Sequence, residues 1–355
     1  MTGDIDSWLF RTVLPHWLEH GVDAGSGVFV ECLDSQGAPM PEVPRRGRVA
    51  PRQLFTLARA RRLGFDDKRV PGVLERGAST LLASRTPERG FPSKIDAQGC
   101  AVEADGVLYD HAFVLLAGAE LQAAGVSGGA ELAAQASELV DTRFRDPAGG
   151  YHTVMDMRGD KLANPHMHLL EASLLHAQVT GSGAAQARVR EIADIALAHM
   201  LRDGVVAERM GPGFEASEQN WVEPGHCYEW AFLLHEAAEM LNDAALAGAA
   251  RALFERSEAF VEADGLVVDR VGAQASYRLW PQLERLRCLV SFGQHETAGP
   301  LLSTIRAHYL DRGPEAGWID KLDADRQAVG ERVPASMLYH LMTALPPATG
   351  RTLER

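Results

Sequence analysis

The chain has 355 residues, 46% of them hydrophobic, enough to bury a large core. Its net charge of −13, from 35 basic and 48 acidic residues with no long Lys/Arg run, argues against a nucleic-acid or anionic-membrane partner. The four cysteines, Cys32, Cys100, Cys227 and Cys288, lie far apart without a CxxC pair, so they read as reduced thiols and exclude a disulfide or zinc framework.

The opening residues, Met1 to Trp8, lack the apolar stretch of a secretory leader. No run of roughly 18 apolar residues follows, so a cytoplasmic chain without a membrane span is expected. The first structural landmark is Gly27-Val28-Phe29, followed by Asp34 and Gly37, the pattern of a short hairpin or extended loop. Ala50-Pro51 then opens an apolar helical pattern. Proline suits a first helical turn because its φ is already set and its missing N–H had no partner there.

The same succession recurs. Gly90-Phe91 with Asp96 and Gly99 precedes a helix at Tyr109-Asp110-His111-Ala112-Phe113, and Gly150-Tyr151 with Asp156 and Gly159 precedes one at Asn164-Pro165. Gly204-Val205-Val206 leads to Glu223-Pro224, Gly265-Leu266-Val267 to Trp280-Pro281, and Gly317-Trp318 with Asp323 to Val333-Pro334. The five prolines are spaced by 114, 59, 57 and 53 residues, and the first gap is twice 57, which predicts the helix start near residue 108. A second helix in each unit is seen in alanine- and leucine-rich stretches such as 128–144 and 183–200.

The unit is therefore hairpin, helix, helix, repeated six times. An open solenoid of such units needs polar capping repeats, and the ends here resemble the middle. The expectation is an all-α, closed (α/α)6 barrel forming one domain over residues 1–355, with short β-hairpins at its mouth. In such a ring the six inner helices start at one end. Their first turns, with free N–H groups and positive dipole ends, line the pocket.

Those first turns hold Arg48, Arg52 and Gln53; Tyr109, Asp110 and His111; Asn164, His166, His168 and Glu171; His226, Cys227, Glu229 and Trp230; Trp280, Gln282 and Glu284; and Tyr339 with His340. A mixture of aromatic faces, amides, arginine and carboxylates is what a neutral sugar needs. His168/Glu171 and His226/Glu229 share the i, i+3 spacing, which puts each pair on one helical face, where a carboxylate can raise the basicity of the ring. Each residue taken alone is equally a cap, an ion-pair partner or core. Recurrence at equivalent positions singles out His226, His168 and His340. His166 faces away from His168, Cys227 points away from His226, and HxxE is not the HExxH of a zinc site, so no metal and no cofactor are expected.

These motifs resemble the N-acylglucosamine 2-epimerase superfamily, which includes cellobiose 2-epimerases and metal-independent mannose isomerases. The matching stretches are Leu14-Pro15-His16-Trp17 with residues 25–31, Arg52-Gln53-Leu54-Phe55, Tyr109-Asp110-His111-Ala112-Phe113, and Asn164-Pro165-His166-Met167-His168-Leu169-Leu170-Glu171-Ala172. Pro224-Gly225-His226 with Glu229-Trp230, Trp280-Pro281-Gln282 with Glu284, and Tyr339-His340 complete them in order. The resemblance implies that His226 and His340 do the proton chemistry and that His168 binds or polarises substrate. It also implies that Arg52 holds the sugar, with Tyr109, Asn164, Glu229, Trp280 and Gln282, and Glu171 beside His168, in support. The implied reaction is an aldose–ketose isomerisation of a free hexose through a cis-enediol, with D-mannose and D-fructose favoured. A sugar 2-epimerase is the alternative, and an (α/α)6 glycoside hydrolase or a non-catalytic sugar-binding module stands behind it. The partner is then a small monosaccharide; a homodimer is neither required nor excluded.

Overall fold

A computed structural model of the chain describes residues 2–23 and 25–353. Among them are twelve helices. Helix α1 runs over residues 2–20 and contains one π-turn, Leu9–Val13. The others are α2 (Val49–Arg62), α3 (Val70–Ser84), α4 (Leu108–Ala123), α5 (Gly129–Leu139), α6 (Ala163–Thr180) and α7 (Gly183–Ile195). They continue as α8 (Pro224–Leu241), α9 (Ala244–Ser257), α10 (Leu279–Ser291), α11 (His295–Ile305) and α12 (Met337–Ala348).

The even-numbered helices form an inner ring, each meeting the next, and α12 returns to α2. The odd-numbered helices pack outside. Sequence dictates this division. In α4 nearly every residue from Asp110 to Leu121 is buried, whereas α5 and α7 bury one stripe and expose Glu131, Gln186 and similar residues. Helix α4 comes so close to α5 that a Cβ on Gly118 would sit 2.5 Å from the Ala133 nitrogen. The outer helices are capped locally: Ser182 accepts the Ala185 N–H, and Asp243 accepts those of Ala245 and Leu246.

The phase of the repeat differs from a simple run of six hairpins. Among the described residues no outer helix follows the last inner helix; α1 supplies that place. Trp17 of α1 stacks on Trp318 at 5.7 Å, and Arg351 pairs with Asp6 while its Nη1 donates to the Leu63 carbonyl. The proline landmarks also shift. Pro224 is the first residue of α8, but Pro51, Pro165 and Pro281 are the third of their helices, and Pro334 sits in a strand before α12. The unmarked start falls at Leu108.

The loops between units zip into a collar at the mouth. Cys32–Leu33 pairs with Val333–Pro334, Arg45–Arg46 with Lys94–Ile95, Lys161–Leu162 with Arg209–Met210, and Tyr277–Arg278 with Lys321–Leu322. A Val107–Val154 bridge and a hydrogen bond from Val271 N–H to the Val222 carbonyl close the remaining gaps. Every neighbouring pair of units is thus tied by backbone at the end where the inner helices begin. Of the Asp residues read as turn markers, Asp34, Asp96 and Asp323 accept backbone N–H groups, while Asp156 pairs with Arg143.

Candidate active site

Four of the six inner helices are each fastened to a hairpin by one side chain of the first turns. The hairpin N–H groups of Phe91, Tyr151, Val206 and Val267 donate to His111 Nε2, His166 Nε2, Cys227 Sγ and Gln282 Oε1. In two units the hairpin glycine has positive φ and no room for a Cβ: on Gly90 it would meet His111 at 2.3 Å, and on Gly150 it would meet Phe214 at 2.8 Å with His166 next at 3.3 Å. Gln282 completes its set by donating to the Val267 and Arg278 carbonyls and is fully buried. It is an anchor outside the cavity, not a group facing a ligand. Cys227 is likewise buried, its thiol pushed up by burial to about 12.

With the anchors turned outward, the neighbouring positions point into the ring. Arg52, Tyr109, Asn164, His168, His226, Glu229, Trp280 and His340 all line one cavity of about 410 Å³ at the mouth. That lies within the roughly 300–1,000 Å³ usual for small-ligand clefts. Glu208, Trp221, Glu223, Arg278 and Asp320 line it too, and none of these is a site candidate from the sequence, where Glu223 serves only as a helix landmark. Arg52 stacks over Phe113 at 4.1 Å and donates from Nη2 to the Tyr109 hydroxyl at 2.7 Å. Among the described residues no carboxylate lies within ion-pair distance of Arg52, and its Nε is unpartnered. Trp280 lies between two of the histidines, with ring centroids 5.0 Å from His226 and 5.9 Å from His340.

Each of the three histidines rests its Nδ1 on a carboxylate. His226 meets Glu208 at 2.9 Å, His340 meets Glu284 at 2.6 Å, and His168 meets Glu171 at 3.3 Å. A carboxylate accepts, so Nδ1 carries the proton and Nε2 is left for chemistry. The Asn164 side-chain amide lies 3.2 Å from His226 Nε2. The His168/Glu171 pair is the one its spacing suggested. His226 does not pair with Glu229; its second acid is Glu223, three residues earlier, at 3.5 Å. Helical side chains lean toward the N-terminus, which turns His226 toward the collar and away from the ring interior. Glu229 instead approaches His168 Nδ1 at 3.7 Å.

The rings differ in charge. Burial lowers His340 and lowers His168 to about 4, against the pull of Glu284 and Glu171, so both are neutral near pH 7. Burial would lower His226 as well, but the charge and hydrogen bond of Glu208, with Glu223 and Glu229 behind, raise it to about 9. Burial also raises Glu208, and the proton of that pair sits on the more basic ring. Groups driven apart in this way make an acid and a base.

Glu171 and Glu284 lie beneath the cavity, not in its wall. Burial works to raise both, yet His168 and Tyr339 beside Glu171, His340 beside Glu284, and Arg287 between them hold them low. Glu229, between the two and without a hydrogen bond on Oε1, is pushed well up by burial and by Glu284 and Glu171, so it carries a proton. His168, Glu171 and Glu229 bring donor atoms within 4.8 Å of one another. They fit a cation poorly, because Arg287 lies 3.3 Å from Glu171 and the Tyr339 hydroxyl donates to its other oxygen.

The sequence model of the N-acylglucosamine 2-epimerase (GlcNAc 2-epimerase) family matches residues 27–344. A mannose-6-phosphate isomerase of Rhizobium meliloti (strain 1021) is 32% identical over 97% of this chain and 95% of its own length. A D-mannose isomerase of Thermobifida fusca is 29% identical over 59% of this chain and 57% of its own. The crystal structure of a D-mannose isomerase superposes with a TM-score of 0.89 at 17% identity, covering 99% of this chain and 98% of that one. The chain belongs to the N-acylglucosamine 2-epimerase family and is an enzyme of the sugar isomerase/epimerase class.

Proposed function

We propose that this enzyme is a metal-independent aldose–ketose isomerase of a free hexose, interconverting D-mannose and D-fructose. The observation that carries the reading is the opposite bias of two rings on either side of Trp280, His340 neutral and His226 charged. After the sugar ring opens, neutral His340 removes the C2 proton, made acidic by the C1 aldehyde. Charged His226 supplies protons to oxygen during ring opening and enolisation. Arg52 and His168, with the first-turn N–H groups, stabilise charge on O1 and O2 of the cis-enediol. Proton return to C1 gives the ketose. Tyr109 and Asn164 hold hydroxyls, Trp280 takes the C–H face, and protonated Glu229 is a hydrogen-bond donor. Glu171 and Gln282 act from outside the cavity, one on His168 and the other on the hairpin.

Two relatives bear the name of mannose isomerases, one of them for the 6-phosphate. The free sugar is favoured because Glu208, Glu223 and Asp320 face the cavity, Arg46 is paired with Glu31, and Arg278 lies 3.9 Å from Asp269. A phosphate dianion would find only Arg52, of the three cavity arginines, without a carboxylate partner among the described residues. Comparison of kcat/KM for D-mannose and D-mannose 6-phosphate, with EDTA present, tests this. A preference for the phosphate, or loss of turnover in EDTA, refutes it.

A second reading, 2-epimerisation of an N-acylglucosamine or cellobiose-type sugar, is favoured by the same two rings if they reach C2 from opposite faces. Glucose formed from mannose would identify it. A hydrolase reading has less support, since Glu171 and Glu284 are engaged with histidines under the floor.

A further inference from the structure

The two carboxylates beneath the floor share one cation. Glu284 accepts from His340 on Oε1 and from Arg287 Nη1 on Oε2 at 3.4 Å; Glu171 accepts from His168 on Oε2 and from Arg287 Nη2 on Oε1 at 3.3 Å. The guanidinium of Arg287 therefore forks between the acids whose other oxygens hold two site histidines. It stacks on Phe232 at 3.8 Å. Other titratable groups facing it include Glu229 from α8, Tyr339 from α12 and Cys288 of its own helix. His226 lies outside this arrangement, on Glu208 of the collar. A second cavity of about 280 Å³, lined by Phe55, Leu175, Phe232, Glu171 and Arg287, reaches the same guanidinium from the opposite end of the ring.

We propose that Arg287 is the positioning residue of the isomerase, fixing His340 and His168 together through Glu284 and Glu171, and that its site is open to small cations from the back of the barrel. The inference rests on the isomerase reading for its kinetics but not for its geometry. Without Arg287, Glu171 and Glu284 lose the cation they share and take up protons, as Glu229 between them already has. A protonated Glu284 no longer holds the His340 ring in one tautomer.

The test uses Arg287→Met, Arg287→Lys and Arg287→Ala in the full chain, with histidine ring nitrogens followed by NMR across pH in the substrate-free enzyme. Removing a positive charge raises the proton affinity of the His340–Glu284 and His168–Glu171 pairs. In Arg287→Met their titrations move to higher pH, while that of His226 stays. Turnover falls by about 10²-fold, the cost of a misplaced reacting group, and the acidic limb of kcat/KM moves upward. Arg287→Lys keeps the limb near its wild-type place because it keeps the charge. Guanidinium ion added to Arg287→Ala restores both ring titrations and part of kcat, which a merely structural residue would not allow. Unchanged His340 and His168 titrations, or an equal shift of His226, overturn the proposal. The ring titrations decide it even if wild-type enzyme ignores mannose, an outcome that would count against the isomerase reading alone.

Discussion

The two walls of the pocket solve the same problem in different ways. On the α12 wall, His340 sits on a fully buried Glu284 that already shares a cation, so the field at the ring is nearly balanced and burial keeps it neutral. On the α8 wall, His226 faces Glu208 at 2.9 Å and Glu223 at 3.5 Å, neither of which shares an arginine among the described residues, and the ring is raised to about 9. The lesson is that a histidine's role is set less by its first carboxylate than by what neutralises that carboxylate.

The comparison breaks first if the two rings are removed singly. His340→Ala and His226→Ala are each expected to lower kcat by about 10³-fold with the fold retained by circular dichroism. They should differ in fructose incubated in D2O. His340→Ala loses carbon-bound exchange, and His226→Ala keeps a slow remnant; identical exchange would erase the distinction between the walls.

A finer cut changes only the charge. In Glu208→Gln, burial is opposed chiefly by the more distant Glu223, and His226 falls. Because the charged ring is the active form, activity is then lost at lower pH, and the basic limb of kcat/KM moves down by roughly 1–3 pH units while the acidic limb stays. A basic limb that does not move would show that Glu208 is not the source of the charge on His226.

The anchor positions give a stability contrast to these kinetic effects. Gln282→Ala orphans the buried Val267 N–H and is expected to cost about 1–3 kcal/mol, read as a lower Tm, with KM for the sugar little altered. A large KM effect would return Gln282 to the binding residues.

The smallest effect concerns Asp110, buried beside Arg48 at 3.6 Å with an unpartnered Oδ1. Burial raises it from 3.8 to about 6. A carboxyl raised in the folded state is costly once ionised, so stability falls as pH rises from about 4 to 6. Asp110→Asn should therefore raise Tm at pH 7 and leave it unchanged near pH 4, within a ceiling of about 3 kcal/mol.

How much of this was legible in the sequence follows from distance along the chain. The ring was readable because glycine and proline mark its turns, and even the unmarked start at Leu108 followed from spacing. The phase was not, since the pairing of α1 with α12 joins opposite ends of the chain. Within the site, histidines at helix starts were visible, but two kinds of first-turn position look alike in one dimension. Gln282 repeats the role of His111 and His166, whereas His168 faces inward two residues past that role. Glu208 lies 18 residues before His226, in the bend just before the collar strand Arg209–Met210, and Glu284 lies 56 before His340 on another helix. No periodicity links such partners, so only the closed ring brings them together.

The account's central claim is histidine proton transfer at the carbons of a free hexose. Its most direct test is a proton NMR time course of D-mannose with the enzyme in D2O and EDTA. The account predicts fructose carrying deuterium at C1 in at least part of the product, at a rate EDTA does not change. Fructose formed without any label, or mannose left unchanged and unlabelled, would contradict it.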